Sequence, residues 1–291
     1  MFLEILMSTS NERLNNINLD LLPKIKNVRY IISHQIYDGK KYFFKNDRKD
    51  IYYNLTHSKG LSINRNNTIS LASGDICLIS DDDVNYKKIY LKRIIRAFNK
   101  IPDADIITFK INSNSSNSKY KKYPKTPMWH NIISSFKVSS IEIAFKLKSI
   151  KKAKLFFDTN FGIGAKYILG EENLFLIDAL NHGLKVLYMP FYIVNHEERD
   201  IDIQEKYTCD RIIILGALLF RIFGIFSFFF DLCLSIAKYR EYKLYLSLSK
   251  FFYFTVKGSI EALKTIYNAK KIRITNFLSI FQIFFKRLIR S

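Results

Sequence analysis

Acidic residues are scarce in this sequence, in which 26 Asp and Glu face 46 Lys and Arg, for a net charge of +20. A deficit of this size implies a polyanionic neighbour, such as nucleic acid, an anionic membrane or a phosphorylated substrate. The three cysteines are far apart, so the sequence predicts neither a disulfide framework nor a cysteine metal site, and it fits a reducing compartment. The 48% of hydrophobic residues excludes wholesale disorder.

The opening residues, MFLEILMSTSNERL, lack the basic start and the long apolar stretch of a secretory leader. They predict a first β-strand instead, and further apolar runs that alternate with helical patterns predict more strands. The predicted strands are Leu3–Met7, Val28–Ser33, Asp75–Ser80, Asp105–Lys110, Lys185–Met189 and Phe191–His196, and the predicted helices are Ser62–Ser73, with Ser62 as N-cap, and Tyr86–Asn99. This alternation predicts an α/β fold with a mainly parallel, doubly wound sheet and helices on both faces.

The amino-acid composition changes near residue 200, which predicts two domains, 1–200 and 201–291. In the first, the Ser/Asn-rich stretch 112–128 predicts a long loop. The second is richer in Phe, Leu and Ile. From Glu205 onward it carries fifteen Lys and Arg against five acidic residues, which is half of the whole charge excess.

The second domain predicts contact with a membrane. Residues 212–230 are long enough to span a bilayer, but Arg221 falls at their centre, where it would cost about 2.5–3.5 kcal/mol. We therefore favour helices that lie on or dip into the interface, with a single span as the alternative. Residues 276–290 predict a basic amphipathic helix, which is typical of an interfacial anchor, although its apolar face could also pack on the core.

Three adjacent carboxylates, Asp81, Asp82 and Asp83, follow the predicted strand Asp75–Ser80 directly. Ligands of open α/β sheets bind beyond the carboxyl ends of strands, so these acids lie where a site is expected. A hard divalent ion that also binds a diphosphate would relieve their mutual repulsion. The alternative is a solvated acidic turn that caps the next helix.

Four motifs resemble the inverting family-2 glycosyltransferases of the GT-A (Rossmann-like) fold, particularly bacterial enzymes that build surface polysaccharides. They are GLSINRN (60–66), GDICLISDDDV (74–84), FGIGAKYILGEENLFLIDALNHG (161–183) and VNH (194–196). Their order and spacing match the family over roughly residues 1–200. The resemblance implies a GT-A nucleotide-sugar-binding catalytic domain, followed here by amphipathic and hydrophobic helices.

The resemblance also implies a metal site that holds the diphosphate of the donor. Asp81 and Asp83 match the D-x-D pair as metal ligands, with Asp83 the more direct one, and Asp82 would face the sugar or ribose. His196 matches a late histidine that contacts the metal or the diphosphate, although a histidine at a strand end can also be purely structural. The implied cofactor is a divalent metal, Mn²⁺ or Mg²⁺.

Two further residues match positions that bind the nucleoside of the donor, and two more are candidates to bind its diphosphate. Thr9 and Asp38, after the first two strands, match positions that hold the nucleoside, although the local sequences STSN and IYDG depart from the commoner forms. Lys59 and Arg65 are candidates to neutralise the diphosphate, and they could equally be ordinary surface cations.

The pair Glu171-Glu172 matches the acidic pair that opens a helix beneath the acceptor. The resemblance implies that Glu172 is the general base, with Glu171 as a supporting acid. The family usually has Glu-Asp here, so the base is one methylene longer in this chain. The alternative is a pair of acids that favours a helix N-terminus after Gly170.

The resemblance implies a metal-dependent, inverting hexosyl transfer from a nucleotide-sugar to a glycan acceptor, expected to be lipid-linked, in polysaccharide biosynthesis. The expected location is the cytoplasmic face of the inner or plasma membrane, as a peripheral or monotopic protein on an anionic surface. Two alternatives stay open: a membrane-associated protein that kept the fold without the activity, and a basic nucleic-acid-binding protein. The sequence contains no recognisable nucleic-acid-binding module, which argues against the second.

Overall fold

The computed structural model describes residues 1–112, 121–196 and 203–267, and the chain divides into two units, Met1–Glu198 and Arg199–Ser291. The described strands of the first unit are β1 (Leu3–Ser10), β2 (Val28–Gln35), β3 (Ile51–Thr56), β4 (Ile76–Ser80), β5 (Ile106–Asn112), β6 (Met128–Trp129), β7 (Ile143–Lys146) and β8 (Val186–Asn195). They form one sheet in the order β3-β2-β1-β4-β7-β5-β8-β6. Strands β1 to β4 pair in parallel, as do β5 and β8, while β7 and β6 run antiparallel to their neighbours.

Helices cover both faces of this sheet. They are α1 (Leu61–Leu71), α2 (Lys88–Lys100), α3 (Ile132–Ser135), α4 (Leu147–Ala153) and α5 (Glu171–Asn181). Alternate residues of β1 enter opposite clusters: Ile5 lies in the buried cluster that contains Phe98 of α2, and Leu6 lies in the one that contains Ile69 of α1 and Phe175 of α5. The predicted α/β class, with helices on both faces of a mainly parallel sheet, is confirmed.

Three strands are absent from the sequence prediction. Strand β3 is at the edge of the sheet and only one of its six residues is buried, so its pattern lacks the apolar run that marks a central strand. Strands β6 and β7 contain only two and four residues. Residues 128 and 129 therefore end the predicted loop 112–128 earlier than expected, and residues 113–120 of that loop lie outside the described part of the chain.

The two strands predicted at the end of the sheet are one strand, β8, with an irregularity. Its pairing with β5 moves from Thr108 opposite Tyr188 to Lys110 opposite Tyr192, so β8 gains residues there relative to β5. Pro190 lies within this shift and has no N–H to donate to a neighbouring strand. The predicted break is real as a bulge, but it does not end the strand.

Helix α1 begins one residue earlier than predicted. Gly60 is its N-cap, with φ of 119°, and Ser62 lies inside the first turn, so the prediction of Ser62 as N-cap is wrong. The Ser62 hydroxyl donates to the Phe161 carbonyl oxygen at 2.6 Å instead, and Leu61 N donates to the carbonyl of Ile163 at 2.8 Å. The start of α1 is thereby fixed to the loop that leads to α5.

The described part of the second unit is helical: α6 (Ile203–Lys206), α7 (Cys209–Phe223), α8 (Ser227–Ala237), α9 (Tyr239–Tyr242) and α10 (Leu248–Tyr267). Helices α7 and α10 pack so closely that a Cβ on Gly216 would lie 1.8 Å from the Thr255 carbonyl oxygen. A Cβ on Gly258 would likewise lie 1.9 Å from the carbonyl oxygen of Ile213. The absence of a side chain at both glycines is therefore what allows the two helices to touch.

The segment Cys209–Ala237 is long and apolar enough to cross a membrane by length and composition. Its helix is interrupted at Gly224, whose φ of 58° lies outside the α-helical range, and a short 3-10 turn, Gly224–Phe226, leads into α8. The amphipathic helix predicted at 276–290 lies outside the described residues. The membrane assignment of this unit stays a prediction.

A buried polar chain joins α8 to the contact between α7 and α10. The Ser259 hydroxyl lies 3.0 Å from the Gly216 carbonyl oxygen and 2.8 Å from Oδ2 of Asp231, and Asp231 is fully buried. A hydroxyl has one proton, so when Ser259 donates to the carbonyl, only a protonated Asp231 can complete the chain. Burial raises the pKa of Asp231 to about 7, in keeping with this arrangement.

We predict that Asp231 makes the second unit less stable as the pH rises. The pKa of Asp231 is raised from 3.8 to about 7 on folding, so the folded state binds more protons across this window and stability falls with increasing pH. Asp231→Asn, which keeps a donor and has no charge, should flatten this part of the dependence. Denaturant unfolding of both proteins between pH 4 and pH 8 measures it, and equal pH dependence would contradict the assignment.

Candidate active site

The carboxyl ends of six strands, the five described next and β3, which is parallel to β2, meet at one edge of the sheet. Strands β1, β2 and β4 are parallel, β5 has the same direction because β7 is antiparallel to both β4 and β5, and β8 is parallel to β5. Thr9 of β1, the three aspartates after β4 and His196 after β8 therefore lie at this edge. This is the edge at which open α/β sheets bind their ligands.

Asp82 is held between Thr9 and Arg13. The Thr9 hydroxyl donates to Asp82 Oδ2 at 2.7 Å, Arg13 Nε donates to the same oxygen at 3.0 Å, and Arg13 Nη2 pairs with Asp82 Oδ1. Burial raises the pKa of Asp82, although both hydrogen-bond partners act in the opposite direction. The carboxylate is therefore fixed in position by two neighbours from the start of the chain.

Asp83 is paired with His196. His196 Nε2 lies 3.5 Å from Asp83 Oδ1, and the contact with His196, more than that with Arg13, lowers the pKa of Asp83. An antiparallel bridge brings the two together, because Asn85 and Asn195 exchange backbone hydrogen bonds of 3.0 and 2.9 Å. The predicted proximity of these two side chains is thus present in the structure.

Asp81 points elsewhere, toward the buried guanidinium of Arg65. Arg65 Nη2 donates to Asp81 Oδ1 at 2.9 Å, and Arg65 Nη1 donates to Glu171 Oε1 at 2.7 Å. Arg65 is 1% exposed and also lies over the ring of Phe157, at 5.5 Å from its centroid. The two carboxylates raise the pKa of Arg65 against the effect of burial.

This geometry changes two of the predicted roles. Asp81, predicted as a metal ligand, bonds to Arg65, whereas Asp83 is the aspartate paired with His196. Arg65, predicted to neutralise a diphosphate, is inside the protein and neutralises two carboxylates of the chain itself. A buried arginine with two ion-pair partners is not an exposed cation available for a diphosphate.

Glu172 lies at the second position of α5, next to the Arg65 network. Gly170 precedes the helix with φ of 95°, and the first turn carries both glutamates. Glu171 is buried in its ion pair with Arg65, whereas Glu172 is half-buried. Burial and, second, the charge of Glu171 raise the pKa of Glu172 well above its usual value, and Arg65 acts in the opposite direction. Glu172 is therefore a carboxyl group with raised proton affinity.

Asp38 and Lys59, two predicted donor-binding residues, are exposed. Asp38 is in the turn that follows β2, where it accepts hydrogen bonds from the Tyr42 hydroxyl at 2.5 Å and from Lys40 N at 3.0 Å. The hydroxyl of Tyr42 is the first cause of a lowered pKa of Asp38. Lys59 Nζ lies 5.4 Å from the ring centroid of Tyr37. Both side chains are accessible to a ligand.

Arg13 is the residue of this site that the sequence prediction missed. It follows β1 in a 3-10 helix, Asn11–Asn16, and its Nη2 also lies 3.3 Å from Asp83 Oδ2. These acidic partners raise its pKa. Its position three residues after the end of a central strand, opposite an acidic run, is the signal that could have identified it.

The fit of a divalent metal can be judged from these side chains. No group of three or more His, Cys, Asp or Glu side chains in the described ranges is arranged to hold a metal. Asp83 and His196 offer one carboxylate and one imidazole at the sheet edge. A divalent ion bound to a nucleotide takes one or two protein ligands together with phosphate oxygens, so this pair fits such an ion.

We predict that Arg65→Met lowers the free energy of unfolding by about 3–5 kcal/mol, because it leaves Asp81 and Glu171 without their shared cation. Denaturant unfolding measures the change. Arg96→Met, at an exposed arginine of α2, is the matched control and should stay within about 0.5 kcal/mol of the wild type. Equal midpoints for Arg65→Met and the control would contradict a stabilising role for the buried network.

The fold is shared with crystal structures of a staphylococcal protein. S. aureus TarS 1-349 superposes with a TM-score of 0.55 at 11% identity, covering 94% of this chain and 93% of that one. The same fragment in complex with UDP-GlcNAc gives a TM-score of 0.57 at 12% identity, covering 91% and 80%. A longer TarS structure gives 0.56 at 12% identity, with 94% of this chain matching half, 50%, of its length. At these identities the similarity concerns the fold.

No curated protein matches the sequence. The family model described as "Glycosyl transferase family 2" matches residues 39–160, which include α1, β4 and the three aspartates. Together with the shared architecture, this match confirms the resemblance that the four motifs indicate. Residues 39–160 are therefore similar to a glycosyl transferase family 2 domain, and the first unit has the GT-A fold.

Proposed function

We propose that this chain transfers a hexosyl group, with inversion, from a nucleotide-diphosphate-sugar to a glycan acceptor in polysaccharide biosynthesis. The observation that carries this proposal is the division of labour in the pair Glu171-Glu172. Glu171 is neutralised by Arg65, and Glu172, half-buried beside it, has a raised pKa. A carboxylate with increased basicity is what a direct displacement needs to accept the proton of an acceptor hydroxyl.

The donor is expected to bind along the sheet edge. Thr9, Asp82 and Arg13 form a hydrogen-bonded polar group at the ends of β1 and β4, which is suited to the nucleoside. Asp38, which follows β2, and Lys59, which precedes α1, are exposed and could also contact the donor. The similarity to a TarS fragment crystallised with UDP-GlcNAc supports a nucleotide-sugar as donor. The identity of the base and of the sugar is left open by these contacts.

Asp83 and His196 are the residues proposed to hold a divalent metal, Mn²⁺ or Mg²⁺, together with the donor diphosphate. Bound there, the ion would neutralise charge on the diphosphate as it leaves. Asp81 is assigned to the Arg65 network instead. The chain's own contribution is to pair Asp81 with Arg65 and Asp82 with Arg13, while Asp83, which Arg13 also contacts, lies next to His196.

The proposed reaction is a single displacement. The acceptor hydroxyl oxygen forms a bond to the anomeric carbon, the bond from that carbon to the diphosphate oxygen breaks, and the electron pair leaves with the diphosphate. The hydroxyl proton moves to the Glu172 carboxylate. Because attack and departure occur on opposite sides of the carbon, the configuration inverts.

The second unit supports a membrane-associated location, proposed as the cytoplasmic face of the inner or plasma membrane, with a lipid-linked acceptor. Its support is the segment Cys209–Ala237 and the fifteen basic residues against five acidic ones from Glu205 onward. Near an anionic surface each basic residue contributes roughly 1 kcal/mol of attraction.

We predict that Glu172→Gln lowers the transfer rate by on the order of 10²–10⁴ while nucleotide affinity stays near that of the wild type. Gln keeps the size and polarity of the side chain but accepts no proton. Turnover with a nucleotide-sugar and calorimetric titration with UDP measure the two quantities.

Glu171→Gln is the matched control for this substitution. It should lower turnover less, and its effect should be accompanied by a loss of stability, since Glu171 pairs with Arg65. The wild-type rate should rise with pH through an apparent pKa above that of an ordinary glutamate, because only the deprotonated base is active and its pKa is raised. Full turnover in both single variants and in the double variant would remove the pair from the mechanism.

We predict that Asp83→Ala abolishes the dependence of UDP binding on Mn²⁺, since it removes the carboxylate next to His196. The control is Asp81→Asn, two residues before Asp83 in the chain. It should retain the dependence on Mn²⁺ because Asp81 faces Arg65. Calorimetric titrations of both variants with UDP, with and without Mn²⁺, distinguish the two carboxylates. The opposite result would return the metal to Asp81.

A further inference from the structure

Helix α8 buries polar side chains and exposes apolar ones, which is the opposite of a surface helix in a water-soluble protein. Its polar residues Ser227, Asp231 and Ser235 recur at every fourth position and are fully buried. The opposite side is apolar and exposed, and we call it the outer face of α8. It consists of Ile225 and Phe226 just before the helix together with Phe229, Leu232 and Ile236, which are exposed by 72%, 41%, 40%, 44% and 54%.

Several polar groups on the buried side of α8 form hydrogen bonds within the unit. Asp231 bonds to Ser259, the Ser235 hydroxyl donates to the Asp231 carbonyl at 2.6 Å, and the Tyr242 hydroxyl donates to the Ser235 carbonyl at 2.6 Å. These contacts lie beside the close packing of α7 and α10 at Gly216 and Gly258. Small residues and hydroxyl groups between helices, with apolar side chains outside, are the packing pattern of helices in lipid.

Water is an unfavourable surrounding for the outer face of α8. Transfer of aliphatic and aromatic side chains out of water is favourable, and here several such side chains share one side of a single helix. Scattered exposed apolar residues are ordinary, but a continuous stripe marks an interaction surface. The outer face of α8 contains no charged residue. Asp231, the one charged residue between Ile225 and Ile236, is on the buried side of the helix.

The exposed charged residues of the second unit indicate what kind of partner fits the outer face of α8. Arg240 and Lys243 follow α8 and are exposed, and α10 exposes Lys250, Lys257 and Lys264 at every seventh position. From Glu205 onward basic residues exceed acidic ones by fifteen to five. An apolar stripe on a unit with an excess of exposed basic residues complements an anionic lipid surface. The acyl region can accommodate the stripe, and the anionic headgroups can pair with the basic residues.

We propose that the outer face of α8 inserts into the interfacial layer of an anionic bilayer. Helix α8 has 11 residues and is therefore about 16 Å long, roughly half the 30 Å of a hydrocarbon core, so it lies in the interface and does not cross it. The break at Gly224 separates it from α7. This inference deepens the proposed membrane association and is independent of the transfer reaction.

Site-specific fluorescence of the full-length protein tests the proposal. The accessible and partly accessible cysteines are first removed with Cys209→Ser and Cys233→Ser, which leaves only the buried Cys77. An environment-sensitive thiol dye is then attached to Leu232→Cys or to Ile236→Cys. Tyr52→Cys, exposed on the edge strand β3 of the first unit, is the matched control.

With vesicles of phosphatidylglycerol and phosphatidylcholine, both α8 dyes should shift to the blue and become protected from iodide, and the Tyr52→Cys dye should not. Vesicles of pure phosphatidylcholine should give a much weaker response. In an unlabelled protein, the double substitution of Leu232→Ser and Ile236→Ser should lower the vesicle partition coefficient about tenfold or more.

Four outcomes would overturn the proposal. A blue shift without vesicles that grows with protein concentration would identify a second copy of the chain as the occupant. Dyes already protected in buffer would identify another part of the chain, such as segment 268–291. Vesicle binding without a change in the α8 dyes would remove only this face, whereas no vesicle binding by the unlabelled wild type would remove the membrane association as well. None of these four outcomes bears on turnover, which is measured in a separate assay.

Discussion

The buried guanidinium of Arg65 connects the two halves of the candidate active site. It bonds at once to Asp81, at the end of β4, and to Glu171, at the start of α5. The strand end contributes to the donor side, and the helix start carries the proposed base. Without a shared cation the two carboxylates would repel each other inside the protein, at a separation where charges interact strongly. The relative position of Glu172 and the three aspartates therefore depends on this one side chain.

Three adjacent carboxylates are tolerated because each lies beside a basic side chain. Asp81 bonds to Arg65, Asp82 to Arg13 and Thr9, and Asp83 to His196. Successive residues after a strand point in different directions, so one turn can take part in a structural network and also carry the proposed nucleoside and metal contacts. The same turn would be far less favourable if all three carboxylates faced one ligand.

The central strands and the family could be predicted from the sequence, because buried parallel strands leave continuous apolar runs and the motifs keep their order. The edge strand β3 could not, since it is half exposed and has no such run. The contact between Asp83 and His196 was within reach, as both follow strands of the same direction. The contact of Asp81 with a buried Arg65 could not be predicted, because a motif specifies order along the chain and gives no information about burial. Arg13 was missed for the opposite reason, as it belongs to none of the motifs.

The bridge between Asn85 and Asn195 has a consequence for how the protein folds. It joins a residue that follows β4 to the last residue of β8, and β5, β6, β7 and several helices lie between them in the chain. Contacts of such long sequence separation form late, because the loop they close must first lose its conformational freedom. His196 can meet Asp83 only after this closure. A chain that has not completed its sheet thus lacks the contact between Asp83 and His196 on which the proposed metal site depends.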